Sequence, residues 1–190
     1  YPNSLMGTLA VIRQAFFDVT HARETSLYLK KNPSSQPHLP HAGIRTLQKV
    51  TDKQDPFPVW VEPGSCLMEN RALILSKELG FHPVIIATGD EWRRPDLALS
   101  KDHSYVSPLL FPALSKFPED EDWEQVSLDQ LRAWDHAPGN PALIAKKAKS
   151  LSLTTSGGGL GEFHGNLLQA IERGLSEEKA LAALTTNPAR

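Results

Sequence analysis

The sequence predicts an α/β fold in which helices cover a parallel sheet. Four short apolar segments rich in β-forming residues, at 58–63, 82–89, 105–112 and 151–155, alternate with segments whose apolar residues recur at helical spacing. This alternation favours parallel strands, because parallel neighbours need crossover connections. Two architectures fit 190 residues: a complete doubly wound domain, or about half of a (β/α)₈ barrel, which typically needs about 250 residues.

Residues 1–57 are predicted to form a helical lead-in. Apolar residues recur every three or four positions through residues 5–31, and Ser4 is positioned to cap a long first helix. The polar, proline-rich segment 32–40 is predicted to be a loop, and a shorter helix is expected near residues 44–50.

Residues 58–190 are predicted to be a series of βα units. Gly80 is placed to end the first helix of this series, and Pro95 to interrupt the second. Pro108 suggests a bulge or an edge strand, since proline cannot donate to a sheet. The acidic segment 118–125 is predicted to be a loop. The predicted helical segments are 64–81, 90–103, 127–136, 140–149 and two within 156–190.

Composition disfavours several classes of partner. The formal net charge is −2, so no broad basic surface is available for nucleic acid or an anionic membrane. The apolar runs are too short for a membrane helix, and the single cysteine excludes an intramolecular disulfide or a multi-cysteine zinc cluster. Because the chain starts at Tyr1 without a methionine, we expect a preceding part, and the compartment stays open.

Candidate functional residues follow the predicted strands, where parallel α/β folds place their sites. Glu62 ends the first strand; a metal, a substrate proton or a nearby cation would account for it, as would a strand-end acid bonded to backbone N–H groups. Thr88, Asp90 and Glu91 follow the second strand. The two acids are candidates for substrate binding, although acids in a first helical turn also act as caps.

Ser156 and Gly157 open a glycine-rich turn after the fourth strand. Small residues and free N–H groups at a helix N-terminus suit an anion such as phosphate. The glycines have G-x-G-x-G spacing and not the dinucleotide fingerprint, and a tight turn with positive φ explains them as well. Cys66 is a candidate thiolate at a helix start, but a small buried residue is the simpler interpretation.

Three stretches together resemble a known family. They are YPNSLMGTLAVIRQAFFD, the middle from PVWVEP to VSPLLFP, and the end from LSLTTSGGG through GLSEEKALAALTTNPAR. They resemble the imidazolonepropionase-like branch of the amidohydrolase superfamily. The resemblance implies a partial, TIM-like (β/α)₈ barrel with about four parallel strands, namely the C-terminal part of a barrel that hydrolyses amide, ester or cyclic C–N bonds with divalent metal, typically zinc.

At three positions where the resembled family has metal ligands, this chain has other residues. Glu62 occupies the fifth-strand position of a ligand histidine, Thr88 lies near that of the sixth-strand histidine, and Ser156 stands where a metal-binding aspartate is expected. The His-x-His pair of the family's first strand is absent from this sequence. The chain therefore offers Glu62 and Ser156 as catalytic candidates, Thr88, Asp90, Glu91 and Gly157 as substrate-binding candidates, and no metal ligand.

Three functions remain open from sequence. The first is hydrolysis of a cyclic amide or peptide-like C–N bond in a small molecule. The second is a catalytically inactive binding or interaction module on the same barrel. The third is a phosphate-binding barrel that uses the turn at residues 156–161. In each case we expect the remaining barrel, or a second copy of the chain, to cover the exposed sheet edges.

Overall fold

The computed structural model describes residues 2–33, 42–52, 54–113 and 124–189. Most of the two predicted loops at 32–40 and 118–125 lies outside these residues. The chain divides into two compact units. The helical unit comprises Tyr1–Val59 and Leu75–His82, and the sheet unit comprises Trp60–Ile74 and Pro83–Arg190.

The helical unit contains the predicted lead-in helices, α1 (Leu5–Lys31) and α2 (Ala42–Val50). Ser4 caps α1 as predicted, since its Oγ accepts the Gly7 N–H at 3.1 Å. Arg23 joins the two helices by donating to the backbone carbonyls of Gln48 and Thr51 near the end of α2. No helix among the described residues is long and apolar enough to span a bilayer.

Within the described residues the sheet has four strands in the order β1-β2-β3-β4. Their bounds are Val59–Val61, Pro83–Ile86, Ser104–Pro108 and Ser150–Thr154. The registers show that β2 and β3, and β3 and β4, run parallel. Each strand lies beside the next in sequence, without the reversal of order that defines a doubly wound sheet. This order is that of a barrel, and it confirms the predicted partial (β/α)₈ architecture.

Helices alternate with these strands as the sequence predicted. Gly80 follows α3 with a φ of +71°, a conformation that glycine adopts without strain. Pro95 begins α4 directly after a short 3₁₀ helix at Glu91–Arg93. The helices of this part are α3 (Cys66–Leu79), α4 (Pro95–Ala98), α5 (Leu128–His136), α6 (Asn140–Lys147), α7 (Leu160–Glu172) and α8 (Glu177–Leu184).

The core of the sheet unit lies between β2–β4 and the helices that follow them. Its buried hydrophobic side chains are Ile85, Ala87, Tyr105, Leu109, Ile144, Leu151, Ala170, Leu175, Ala180 and Ala183. Tyr105 is fully buried and donates its hydroxyl to the Ala98 carbonyl at 2.8 Å. Such a bond satisfies a polar group that would otherwise destabilise an apolar core.

Pro108 does not mark an edge or a bulge. It is the last residue of β3, which lies between two other strands, and it pairs in continuous register with Thr154. The prediction of an edge or bulge was wrong. Proline is excluded from the middle of a sheet because it has no N–H to donate to the neighbouring strand. At the end of a strand the chain can leave the ladder without that donor.

Candidate functional site

The candidate site lies at the carboxyl ends of the strands in the sheet unit. A groove with a volume of about 440 Å³ opens there, beyond β2 and β3. One wall is polar and consists of residues 88–90; the other contains Leu110, Phe111 and Pro112, and Ala137 completes the lining. We call this cavity the strand-end groove and residues 88–90 its polar wall. A cavity with both kinds of surface suits a small organic molecule.

Glu91 holds the polar wall in place. It is fully buried, and its Oε1 accepts the backbone N–H of Thr88 at 2.5 Å and the Thr88 hydroxyl at 2.8 Å. Its Oε2 accepts the N–H of Gly89 at 3.2 Å and the side-chain amide of Asn140 at 2.5 Å. Glu91 has no exposed surface through which a substrate could contact it, so its role in the fold is that of a local brace for residues 88–90.

Asn140, at the start of α6, links this brace to the next helix. It is 1% exposed, and its Oδ1 accepts the backbone N–H of Trp92 at 2.9 Å while its Nδ2 donates to Glu91. One buried amide thereby supports both the loop and the 3₁₀ helix that follows it. Sequence reasoning missed Asn140, because its partners lie 48 and 49 positions away.

Glu69 of α3 is a second buried acid beside Glu91. It is fully buried, and neither of its carboxyl oxygens accepts a hydrogen bond from a donor in the described part of the chain. Burial, followed by the neighbouring carboxylate of Glu91, raises the pKa of Glu69 to about 9. A pKa raised in this direction favours the protonated form of Glu69 at neutral pH. In the sequence it resembles an ordinary first-turn acid of α3, and nothing in the local pattern indicates its burial.

Asp90 is the exposed charge of the polar wall. Its Oδ1 accepts from Arg93 Nε at 3.0 Å, and the same guanidinium bonds Asp129 through two nitrogens. These bonds to Asp129 and then Asp90 raise the pKa of Arg93, and the pKa of Asp129 is lowered in turn. Two carboxylates thus share one guanidinium, so the group formed by Asp90, Arg93 and Asp129 has a net negative charge.

Glu62 lies directly after β1 and is exposed. Among the described residues, its carboxylate makes no hydrogen bond and no ion pair. Neighbouring strands are about 4.8 Å apart, and β1 neighbours β2. Glu62 therefore follows the strand beside the one that leads into the polar wall, and it is not among the residues that line the groove.

Ser156 and Gly157 lie at the opposite side of the groove. Ser156 is exposed and its N–H donates to Thr154 Oγ1 at 3.2 Å. Gly157 has a φ of +82°, and a Cβ added there would lie 3.4 Å from Leu110 Cδ2. The turn needs glycine for its backbone conformation, as the alternative interpretation of this motif proposed.

The sheet order separates the two predicted catalytic residues. Glu62 follows β1 and Ser156 follows β4, so three strand spacings, roughly 14 Å, lie between the two strand ends. The groove lies between them. The structure brings together Thr88, Asp90 and Glu91, whereas Glu62 and Ser156 flank the groove from opposite sides.

Cys66 begins α3 and is partly buried. Burial raises the pKa of its thiol, and the nearby acidic groups raise it further. A thiol with a raised pKa is a poor nucleophile at neutral pH. This environment favours the interpretation of Cys66 as a packing residue.

A metal centre is not formed by the described residues. Among them, no group of three or more histidine, cysteine, aspartate or glutamate side chains is arranged to hold an ion. Glu62 is a single carboxylate, and the hydroxyls of Thr88 and Ser156 are weak ligands for zinc. The donor set present here does not fit the divalent metal that the family resemblance implies.

Comparison with known proteins supports the fold. No family model and no curated protein matches the sequence. Among solved structures, the chain is similar to an amidohydrolase from Thermotoga maritima MSB8, with a TM-score of 0.69 and 19% sequence identity. The match covers 99% of this chain and 45% of that protein, so this chain spans less than half of its length. The fold therefore resembles part of the fold of that structure, and membership of the amidohydrolase superfamily and of its imidazolonepropionase-like branch stays a prediction.

Proposed function

We propose that the protein containing this chain hydrolyses a C–N bond of a small molecule, a cyclic amide or a peptide-like bond, in the strand-end groove. The observation that carries the proposal is the position of the groove: it lies at the carboxyl edge of an amidohydrolase-like sheet, where barrel enzymes bind their substrates. The apolar wall at Leu110 and Phe111 suits a ring or side chain, and the polar wall suits an amide.

We assign the general base to Glu62, because it is exposed and makes no ion pair among the described residues, whereas Asp90 of the groove wall is paired with Arg93. In hydrolysis the oxygen of a water molecule attacks the carbonyl carbon, and a general base accepts the proton that the water loses. The exposed carboxylate of Glu62 can accept that proton and return it to the nitrogen that leaves as the C–N bond breaks. Ser156 follows β4, and the proposal gives it a hydrogen-bonding role only, since a neutral hydroxyl is a weak base.

Replacing Glu62 by glutamine is expected to lower kcat/KM by about 100-fold or more, because general-base catalysis contributes about 10² to 10⁴. The assay uses the full-length protein, with hydantoin as the cyclic probe and glycylglycine as the open-chain probe. Glu178→Gln, which removes an exposed acid from the first turn of α8, is the matched control. Hydrolysis of neither probe by wild type, or equal rates for the two variants, would contradict the proposal.

The second candidate is a binding module without turnover. Two observations favour it: no metal-binding cluster forms among the described residues, and the strand-end residue after β4 is a serine. In that case hydantoin or glycylglycine raises the melting temperature of the protein while no product forms. The phosphate-binding alternative receives less support, since the turn at residues 156–161 uses the N–H groups of Ser156 and Gly158 for its own bonds.

Partners of the chain stay a matter of prediction. The match to the solved amidohydrolase covers 45% of that protein, so we propose that further strands, from the same protein or from a second copy, complete the barrel. A small-molecule substrate remains the expected ligand. Nucleic acid and anionic membranes are not expected as partners, because the formal net charge of the chain is −2.

A further inference from the structure

Two buried carboxyl groups meet behind the polar wall of the groove. Glu69 comes from α3 and Glu91 from the 3₁₀ helix after β2, and both are fully buried. The Glu91 oxygens accept four hydrogen bonds, from Thr88, Gly89 and Asn140. The Glu69 oxygens accept none from the described residues, and the group they face is the Glu91 carboxylate.

Burial and like charge both favour a proton on this pair. Two ionised carboxylates side by side in a protein interior repel each other, and burial penalises each charge. In the described part of the chain, no lysine or arginine forms an ion pair with either group. If Glu69 is protonated, it is neutral and its hydroxyl becomes a donor toward the neighbouring Glu91 carboxylate. The pair then carries one negative charge, which neutral donors stabilise.

We propose that a single proton shared by Glu69 and Glu91 holds residues 88–90, the polar wall of the strand-end groove, in place, and that the wall loosens when this proton is lost. The second charge would repel Glu91 from its site beneath the wall. The amides of Thr88 and Gly89 would then lose their acceptor. This inference concerns the conformation of the wall and does not depend on hydrolysis.

The titratable groups around the pair come from three sides. Cys66 lies at the start of α3, Asp90 and Arg94 flank the 3₁₀ helix, and Tyr105 lies on β3. Burial raises the pKa of the Tyr105 hydroxyl and of the Cys66 thiol, and Arg94 is paired with Asp96.

From α6 the pair meets the neutral amide of Asn140. Glu69, with a pKa of about 9, is thus the group expected to titrate first as the pH rises above neutrality.

The test is amide hydrogen exchange at Thr88 and Gly89 in the full-length protein between about pH 6 and about pH 11, corrected for the intrinsic pH dependence of exchange. We expect the protection of both amides in wild type to fall by about tenfold or more across a transition near pH 9. In Glu69→Gln the side-chain amide donates to Glu91 at every pH, so the transition should vanish. Protection that is constant in wild type, or a transition that persists unchanged in Glu69→Gln, would overturn the proposal.

Two controls and one independent measurement complete the design. Glu178→Gln and Cys66→Ala should both keep the wild-type transition. If Glu69→Gln does not fold, the ¹³C signal of the Glu69 carboxyl in wild type decides the matter: a midpoint above neutrality supports the shared proton, and an ordinary acidic midpoint refutes it. Loss of protection on adding EDTA at neutral pH would show that a cation joins the two carboxylates, and would also refute it.

Discussion

Glu69→Gln is expected to raise the free energy of unfolding, by an amount that grows with pH. The pKa of Glu69 is about 9 in the folded protein and about 4.3 in an unfolded chain. Between these values the unfolded chain releases a proton that the folded protein retains. The wild type should therefore lose stability by about 1.4 kcal/mol per pH unit as the pH rises through this window. Glutamine does not titrate, so the variant should gain about 2–5 kcal/mol over wild type near pH 8.

Urea unfolding of wild type and Glu69→Gln at about pH 5, 7 and 9 measures this difference. The two proteins should approach each other in stability at the acidic end and diverge as the pH rises. Glu178→Gln, in which an exposed glutamate is replaced, should follow the wild-type curve. Parallel curves for wild type and Glu69→Gln would show that Glu69 ionises normally, and the buried acid would then need another explanation.

Asn140→Ala is expected to lower the free energy of unfolding by about 2–4 kcal/mol. The substitution removes the 2.5 Å bond to Glu91 and leaves the Trp92 N–H without its acceptor at 2.9 Å. Leaving a buried polar group without its hydrogen-bond partner lowers the free energy of unfolding by about 1–3 kcal/mol, and by more when the group is charged. Urea unfolding measures the change, with Gln14→Ala as a control that removes an exposed amide from α1. An effect as small as that of the control would contradict the role assigned to Asn140.

The elements of the fold were predictable where their signals are local. Ser4, Ser127 and Ser176 cap α1, α5 and α8 through bonds to residues three positions on. Apolar runs of the right length identified the four strands. The choice between a barrel and a doubly wound sheet was not accessible to periodicity, because strand order depends on how the crossovers wind, and it required either the family resemblance or the structure.

The site was predictable only in part. Glu91 was recognisable as an acid at a helix start, and three of its four bonds do lie within three residues. Asn140 and Glu69 were missed, since an asparagine before a helix and an acid in a first turn are common surface patterns. Their burial depends on tertiary packing, which for Asn140 is the packing of α6 against the 3₁₀ helix. Leu110 likewise lines the groove and lies close to the Gly157 turn, and no local pattern in the sequence indicates either contact.

The proposed location of the reaction can be tested most directly by filling the groove. Leu110 is 47% exposed and lines the apolar wall, whereas Leu181 is 64% exposed on α8 and is not part of the groove lining. We predict that Leu110→Trp lowers kcat/KM for hydantoin or glycylglycine by about tenfold or more, an effect typical of a changed pocket contact, with little change in melting temperature. Leu181→Trp should hydrolyse the probe at the wild-type rate. A Leu110→Trp variant with unchanged kcat/KM would contradict the assignment of the strand-end groove as the substrate site.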